Sequence, residues 1–258
     1  MSPRRTAQPM YLLLVAAVAA LLPHAAHAYH PFATDDTGTQ GAGGHQFEVG
    51  YDWARSELAG VSEVARALPI TYTYGLADNL DLFVGVARAT DPVDGWSNVA
   101  IGGKWRFFED TSSKLSLALK PEILLPVSED DEADGLGNGE TSCGLSLILT
   151  KETGFGEIHL NIGVDRGNFA DAGNTDRKTT YRMSIAPVWA VADGWKLGAE
   201  LGLQTNPDRT QDAAMGYLGL GMVHAPSDAL DISVGLSRDF DDGPATSTAA
   251  TLGLTVHF

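Results

Sequence analysis

A histidine and an amide share one strand face at His159 and Asn161, and serines stand a short way upstream at Ser142 and Ser146. A serine, an imidazole and an orienting amide are the parts of a nucleophilic hydrolase. No nucleophile signature surrounds either serine, however, and a polar strand face more often uses such groups to hydrogen-bond one another. A second candidate is the run Glu129-Asp130-Asp131-Glu132-Ala133-Asp134-Gly135. Clustered carboxylates attract calcium, but the spacing lacks the glycine at six and glutamate at twelve of an EF-hand loop. It reads first as a solvated acidic loop, with cation bridging to lipid phosphates as a second use. The third set is larger. Asp81, Lys104, Arg106, Lys120, Glu122, His159, Asp165, Arg182, Lys196, Glu200 and Asp231 recur on alternate positions of otherwise apolar stretches. Such a set could select solutes in a wet channel, or it could form a salt-bridge network that fills one. No residue set calls for a catalytic role, a cofactor or a metal.

The elements carrying these charges repeat with period two. Apolar rows such as Phe47/Val49/Tyr51/Trp53, Leu115/Leu117/Leu119, Leu145/Leu147/Leu149 and Ile158/Leu160/Ile162/Val164 alternate with the charged positions. That is the pattern of two-faced strands. Twelve such stretches follow one another from about His45 to the end, each near the 9–11 residues that cross a bilayer at a tilt. The breaks alternate too. Tight turns (75–79, 109–113, 152–156, 193–194, 226–228) trade places with longer, mostly acidic loops (90–96, 128–139, 169–177, 205–212, 239–246). Short turns at one end and long loops at the other describe a transmembrane up-and-down β-barrel. Charges of both signs on the opposite face would be costly in a dry sandwich core and are tolerable in a hydrated lumen. Pro69, Pro121 and Pro187 fall inside these stretches, where a missing N–H must coincide with a bulge or a shifted boundary. The lone cysteine, Cys143, lies on the apolar row beside Leu145 and reads as packing.

The first 28 residues have a basic start (Arg4, Arg5), an apolar run at 11–22 and Ala26-His27-Ala28, the features of a cleaved export leader. The mature chain is expected to begin at Tyr29. A net charge of −16 becomes −18 when the two arginines leave, which argues against a nucleic-acid partner. Residues 29–45, rich in Pro, Gly, Asp and Thr, read as a periplasmic lead-in, and 46–258 as one barrel domain. The tail Thr251-Leu252-Gly253-Leu254-Thr255-Val256-His257-Phe258 has the form of an outer-membrane assembly signal, with Thr251, Gly253, Val256 and Phe258 in its four positions. The implied surroundings are the Gram-negative outer membrane with its lipid and lipopolysaccharide, and the barrel-insertion machinery.

The stretch Pro31-Phe32-Ala33-Thr34-Asp35-Asp36-Thr37-Gly38-Thr39-Gln40-Gly41, then Phe47-Glu48-Val49-Gly50, then Tyr72-Thr73-Tyr74-Gly75-Leu76-Ala77-Asp78-Asn79-Leu80-Asp81-Leu82 resembles the outer-membrane barrels labelled for a phenol-degradation MetA pathway, or simply as transporters. The resemblance spans the whole mature chain. It implies a twelve-stranded barrel and passive uptake of small hydrophobic or aromatic compounds, with no catalytic motif to carry over. A structural or surface-binding barrel with a plugged lumen and a lipase-like hydrolase are the alternatives to weigh against it.

Overall fold

The computed structural model describes residues 30–58, 60–209, 214–240 and 245–258; the leader proposed for residues 1–28 lies outside them. Alternation is realised as strand in every stretch that shows it. The strands are β1 (His45–Leu58), β2 (Val61–Ala77), β3 (Leu80–Asp91), β4 (Gly95–Trp96), β5 (Ala100–Asp110), β6 (Leu115–Leu124), β7 (Ser142–Glu152), β8 (Gly156–Arg166), β9 (Thr179–Ala192), β10 (Trp195–Thr205), β11 (Ala214–Ser227), β12 (Leu230–Asp239) and β13 (Ala245–His257). Apart from the two-residue β4, which caps the upper edge of β3 through Arg88↔Trp96 and Ala89↔Gly95, each strand pairs antiparallel with its neighbours in sequence. The sheet then closes, because β1 pairs with β2 on one side and with β13 on the other. The result is a twelve-stranded closed barrel. Closure leaves no edge and satisfies the backbone internally, as a spanning structure in lipid must.

The three prolines have a common solution. Pro69 stands across from Gly50, Pro121 from Gly103 and Pro187 from Ala199, and at each place the ladder to that neighbour omits the rung while keeping its register. On their other sides Pro69, Pro121 and Pro187 remain paired, with Ala87, Leu145 and Ile158. A proline spends its missing donor on one side only, so the strand continues.

The apolar rows face outward. Leu147, Ile162, Leu201, Leu220, Leu236 and Leu252 are all exposed on the outer wall, which only a lipid environment makes favourable. Aromatic contacts gather at the short-turn end: Phe258 stacked on His45, Phe155 on Trp189, Trp195 on His224, and Trp105 beside Phe107. They form the girdle expected at one membrane interface. Leu117, Leu147, Leu160 and Leu201 sit on the outer rows, Leu147 and Leu201 at the middle of their strands and Leu117 close to the short turn that starts β6. An arginine at Leu147 or Leu201 should destabilise the folded barrel by about 2–4 kcal/mol and one at Leu117 by less, whereas Ala133→Arg in the exposed acidic loop should cost close to nothing. Denaturant titration of the barrel refolded into vesicles measures both, and equal tolerance would reverse the facing.

Of the long loops, the acidic one holds a short helix, α1 (Glu129–Ala133), capped by the Ser128 side chain accepting from the Asp131 N–H at 3.1 Å. Glu132 is buried beneath it. Its carboxylate accepts the backbone N–H groups of Gly139 (2.6 Å), Ala170 (2.9 Å) and Asp171 (3.2 Å), tying this loop to the next. Farther round, burial and then the Asp208 carboxylate push the Asp176 carboxyl above its ordinary value.

Candidate functional site

The inward face of the wall is where the charges converge, and residues 30–44 lie among them. Gly41 and Gly43 have φ near 74° and 81° and make the tight turn by which the chain leaves the lumen and enters β1. Backbone bonds between Gly43, Gly44 and Gly75 fasten that turn to the end of β2. Beyond it the segment crosses the lumen. Of the stretch 29–45, read from the sequence as a periplasmic lead-in, residues 30–40 therefore pack inside, since their polar groups find partners on the inner wall.

Two kinds of contact seat it. The first is a belt of glycines. Gly198, Gly221 and Gly235 stand opposite one another on β10, β11 and β12, and Gly253 stands opposite Gly50 on β13 and β1. A Cβ at Gly221 or Gly235 would come within 2.5 or 2.9 Å of Pro31, and one at Gly198 would overlap the Phe32 ring. Cβ atoms at Gly253 and Gly50 would press on the His30 imidazole, at 2.8 and 3.2 Å. The missing side chains make the groove into which His30-Pro31-Phe32 fits.

The second kind is polar. Glu200 accepts from the Thr34 N–H (2.7 Å), the Thr34 hydroxyl (2.6 Å) and the Ala33 N–H (3.1 Å), with the Tyr217 hydroxyl at 3.3 Å. Asp35 meets Lys120 at 2.6 Å and Lys104 at 3.4 Å, and Lys104 also reaches Asp36 at 3.5 Å. With the Asn161 amide oriented to satisfy both its ends, it donates to the Asp35 carbonyl (2.9 Å) and accepts from the Asp35 N–H (2.6 Å). The Thr37 N–H donates to Thr150 Oγ1 at 3.1 Å, and Thr150 in turn contacts His159 Nδ1 at 3.0 Å. The Gln40 N–H is shared between the two Asp81 oxygens at 3.1 Å.

Each sequence-expected lumen residue can now be placed. Asp81, Lys104, Lys120 and Glu200 hold the segment directly, and His159 stands behind Thr150. Arg182 bridges Asp165 and Glu122 (4.0 Å) and donates to Ser146 at 2.8 Å, a separate group on the same wall. A cavity of about 20 Å³, room for roughly one water, lies between Asp35, Lys120, Glu122 and Arg182. The remaining three are at the turn-end rim: Arg106 with Glu109 (3.3 Å), Lys196 with Glu157 (3.6 Å), and Asp231 with His257 (3.1 Å). The serines considered for a hydrolase are engaged elsewhere, Ser146 by Arg182 and Ser142 by Asn138 and Asn168. Cys143 is exposed on the outer row. In the C-terminal strand, Thr251 faces inward and donates to Asp52 at 2.7 Å, while Phe258 closes the seam through two backbone bonds to His45.

What sequence reasoning missed is the segment's own set: His30, Pro31, Phe32, Thr34, Asp35 and Gln40. The available signal was the glycines on inward positions of five strands, legible only once the register is known.

A family model described as "Putative MetA-pathway of phenol degradation" matches residues 27–258. The chain belongs to that family. Among solved structures, this family member is similar to the COG4313 outer membrane channel from Pseudomonas putida F1, at 14% identity, 86% of this chain and 98% of that chain covered, and a TM-score of 0.69. It is also similar to the NanC porin (9% identity, 81% and 98% covered, TM-score 0.58). The KdgM porin in complex with disordered oligogalacturonate is a further match (10% identity, 81% and 99% covered, TM-score 0.51). At such identities the likeness is one of fold: a closed, antiparallel outer-membrane β-barrel. No curated protein matches the sequence.

Proposed function

We propose that this barrel is a passive outer-membrane pore for small solutes, and that residues 30–40 must shift for a solute to pass. The observation that carries this reading is the chemistry of the lumen contacts. Thr34, Asp35, Thr37 and Gln40 are held by hydrogen bonds and ion pairs, which water or a polar solute can replace at small net cost. The family description favours aromatic compounds. A route past Asp35, Lys120 and Arg182 adds that they carry a hydroxyl or another polar substituent, because a bare hydrocarbon would strip those charges of water without compensation.

The filled lumen favours a second reading, a plugged barrel whose outer surface or loops do the work. Liposome swelling with phenol-like, sugar and purely apolar solutes separates the two. The pore reading expects measurable entry of the hydroxylated aromatic through the intact chain, and several-fold faster entry after deletion of 30–40. An intact barrel that admits nothing while the deletion conducts would favour the plug. A deletion that admits nothing either would defeat the pore.

A further inference from the structure

The outer wall carries a charge pattern that the lumen does not explain. On the outward face at the long-loop end, Thr248 of β13 is paired with Arg238 of β12 on one side and Arg55 of β1 on the other. On β2, Arg66 stands across from Trp53, two residues from Arg55, and on β3 Arg88 stands across from Leu68, two residues from Arg66. Five adjacent strands thus present four arginines in one band, in a chain whose net charge is −16. The spacing of strands puts the Arg55 and Arg238 backbones about 10 Å apart.

The height of the band is telling. From the Phe258–His45 seam at the aromatic end to Arg55, β1 runs ten residues. At about 3.3 Å per residue and a tilt near 45°, that is roughly 23 Å, close to the thickness of the apolar belt. The arginines therefore stand at the opposite membrane boundary, where the cost of a cation falls away. Directly below them are exposed apolar side chains, Leu68, Leu236 and Leu252. Their present partners are exchangeable. Arg66 pairs with Asp91 and Arg88 with Asp94, both between substantially exposed side chains, and such pairs hold weakly. Arg55 donates to Ser62 Oγ at 3.0 Å, and Arg88 lies over the Trp96 ring. Glu57 stands two residues farther toward the loop.

We propose that this band is a docking surface for a phosphorylated saccharolipid of the outer leaflet, of the lipopolysaccharide type. Its sugar phosphates are gripped by Arg55, Arg66, Arg88 and Arg238, and its acyl chains lie on the leucines below. Guanidinium forks suit phosphate oxygens, and two anionic groups on one rigid disaccharide suit cations about 10 Å apart. The proposal holds whether or not the lumen conducts.

The test is lipid retention by the full barrel in detergent, followed by native mass spectrometry. The probes are rough lipopolysaccharide, its monophosphoryl lipid A counterpart, phosphatidylglycerol and inorganic phosphate. Wild type should retain rough lipopolysaccharide at least tenfold more strongly than phosphatidylglycerol, and less of the monophosphoryl form. The variant Arg55→Gln/Arg66→Gln/Arg88→Gln/Arg238→Gln should lose that retention, while Arg166→Gln on the far wall keeps it. If the fourfold variant fails to insert, Arg55→Gln/Arg238→Gln alone must weaken retention severalfold. Undiminished retention by the neutralised barrel, equal binding of phosphatidylglycerol, or equal competition by inorganic phosphate would each overturn the proposal.

Discussion

Asp35→Ala should release the inserted segment and raise conductance sharply. Asp35 holds Lys120 at 2.6 Å and Lys104 at 3.4 Å on neighbouring strands. Removing it leaves two ammonium groups facing a filled lumen with one carboxylate fewer. Breaking one side of a buried pair costs about 3–5 kcal/mol. Here the barrel has a cheaper course than unfolding, because the segment can leave and let water reach both lysines. The cost then falls on docking, as roughly two to four powers of ten in its equilibrium, since about 1.4 kcal/mol is tenfold. Single-channel recording should show longer and larger open events than wild type, and protease should cut the segment more readily, with the heat-modifiable barrel intact. Asp35→Glu, which retains the charge, should restore most of the closed state. Unchanged recordings and unchanged protection would mean that the ion pairs do not hold the segment.

Deleting Phe258 should all but abolish assembly. In the folded barrel its ring stacks on His45 at 5.2 Å, and its backbone makes two bonds to the same residue, 2.8 and 3.0 Å long. The stack contributes about 0.5–1.5 kcal/mol, too little to unfold a barrel closed by a long β1–β13 ladder. We propose that the larger effect comes earlier, through recognition of the terminal strand during insertion. Phe258→Ala keeps the backbone bonds and Phe258→Tyr keeps a ring, so the three variants separate recognition from stability. Accumulation in the periplasm is expected for the deletion and for alanine, with rescue by tyrosine. A normal yield of heat-modifiable barrel from the deletion would remove the terminal aromatic as a signal.

The wall was legible because lipid and water impose opposite demands on alternate residues, and the rows at Leu145/Leu147/Leu149 and Ile158/Leu160/Ile162 obey both. Strands ran beyond their expected ends where that demand stops. Val61–Ala77 runs 17 residues, past the roughly 9–11 that cross a bilayer, since pairing beyond the membrane needs no apolar face. Short pieces such as Gly95–Trp96 and Glu129–Ala133 carry no period at all. The lumen charges were legible as inward residues, but not their partners. Asp35 has no periodic neighbours, and its meeting with Lys104 and Lys120 is a property of closure. The glycines at 50, 198, 221, 235 and 253 are far apart in sequence and form a groove only once the ladders align them.

That alignment sets an order of events in time. The groove for His30-Pro31-Phe32 is shared between β1, near the start of the chain, and β10–β13, at its end. Thr34 is 166 residues from Glu200, its principal partner. Contacts so distant along the chain reward the folding polypeptide only after the intervening loop has been closed. The segment precedes every strand in sequence, yet its contacts are among the last to become available. Until β13 meets β1 its berth is incomplete, so a docked segment is a molecular receipt for a finished ring.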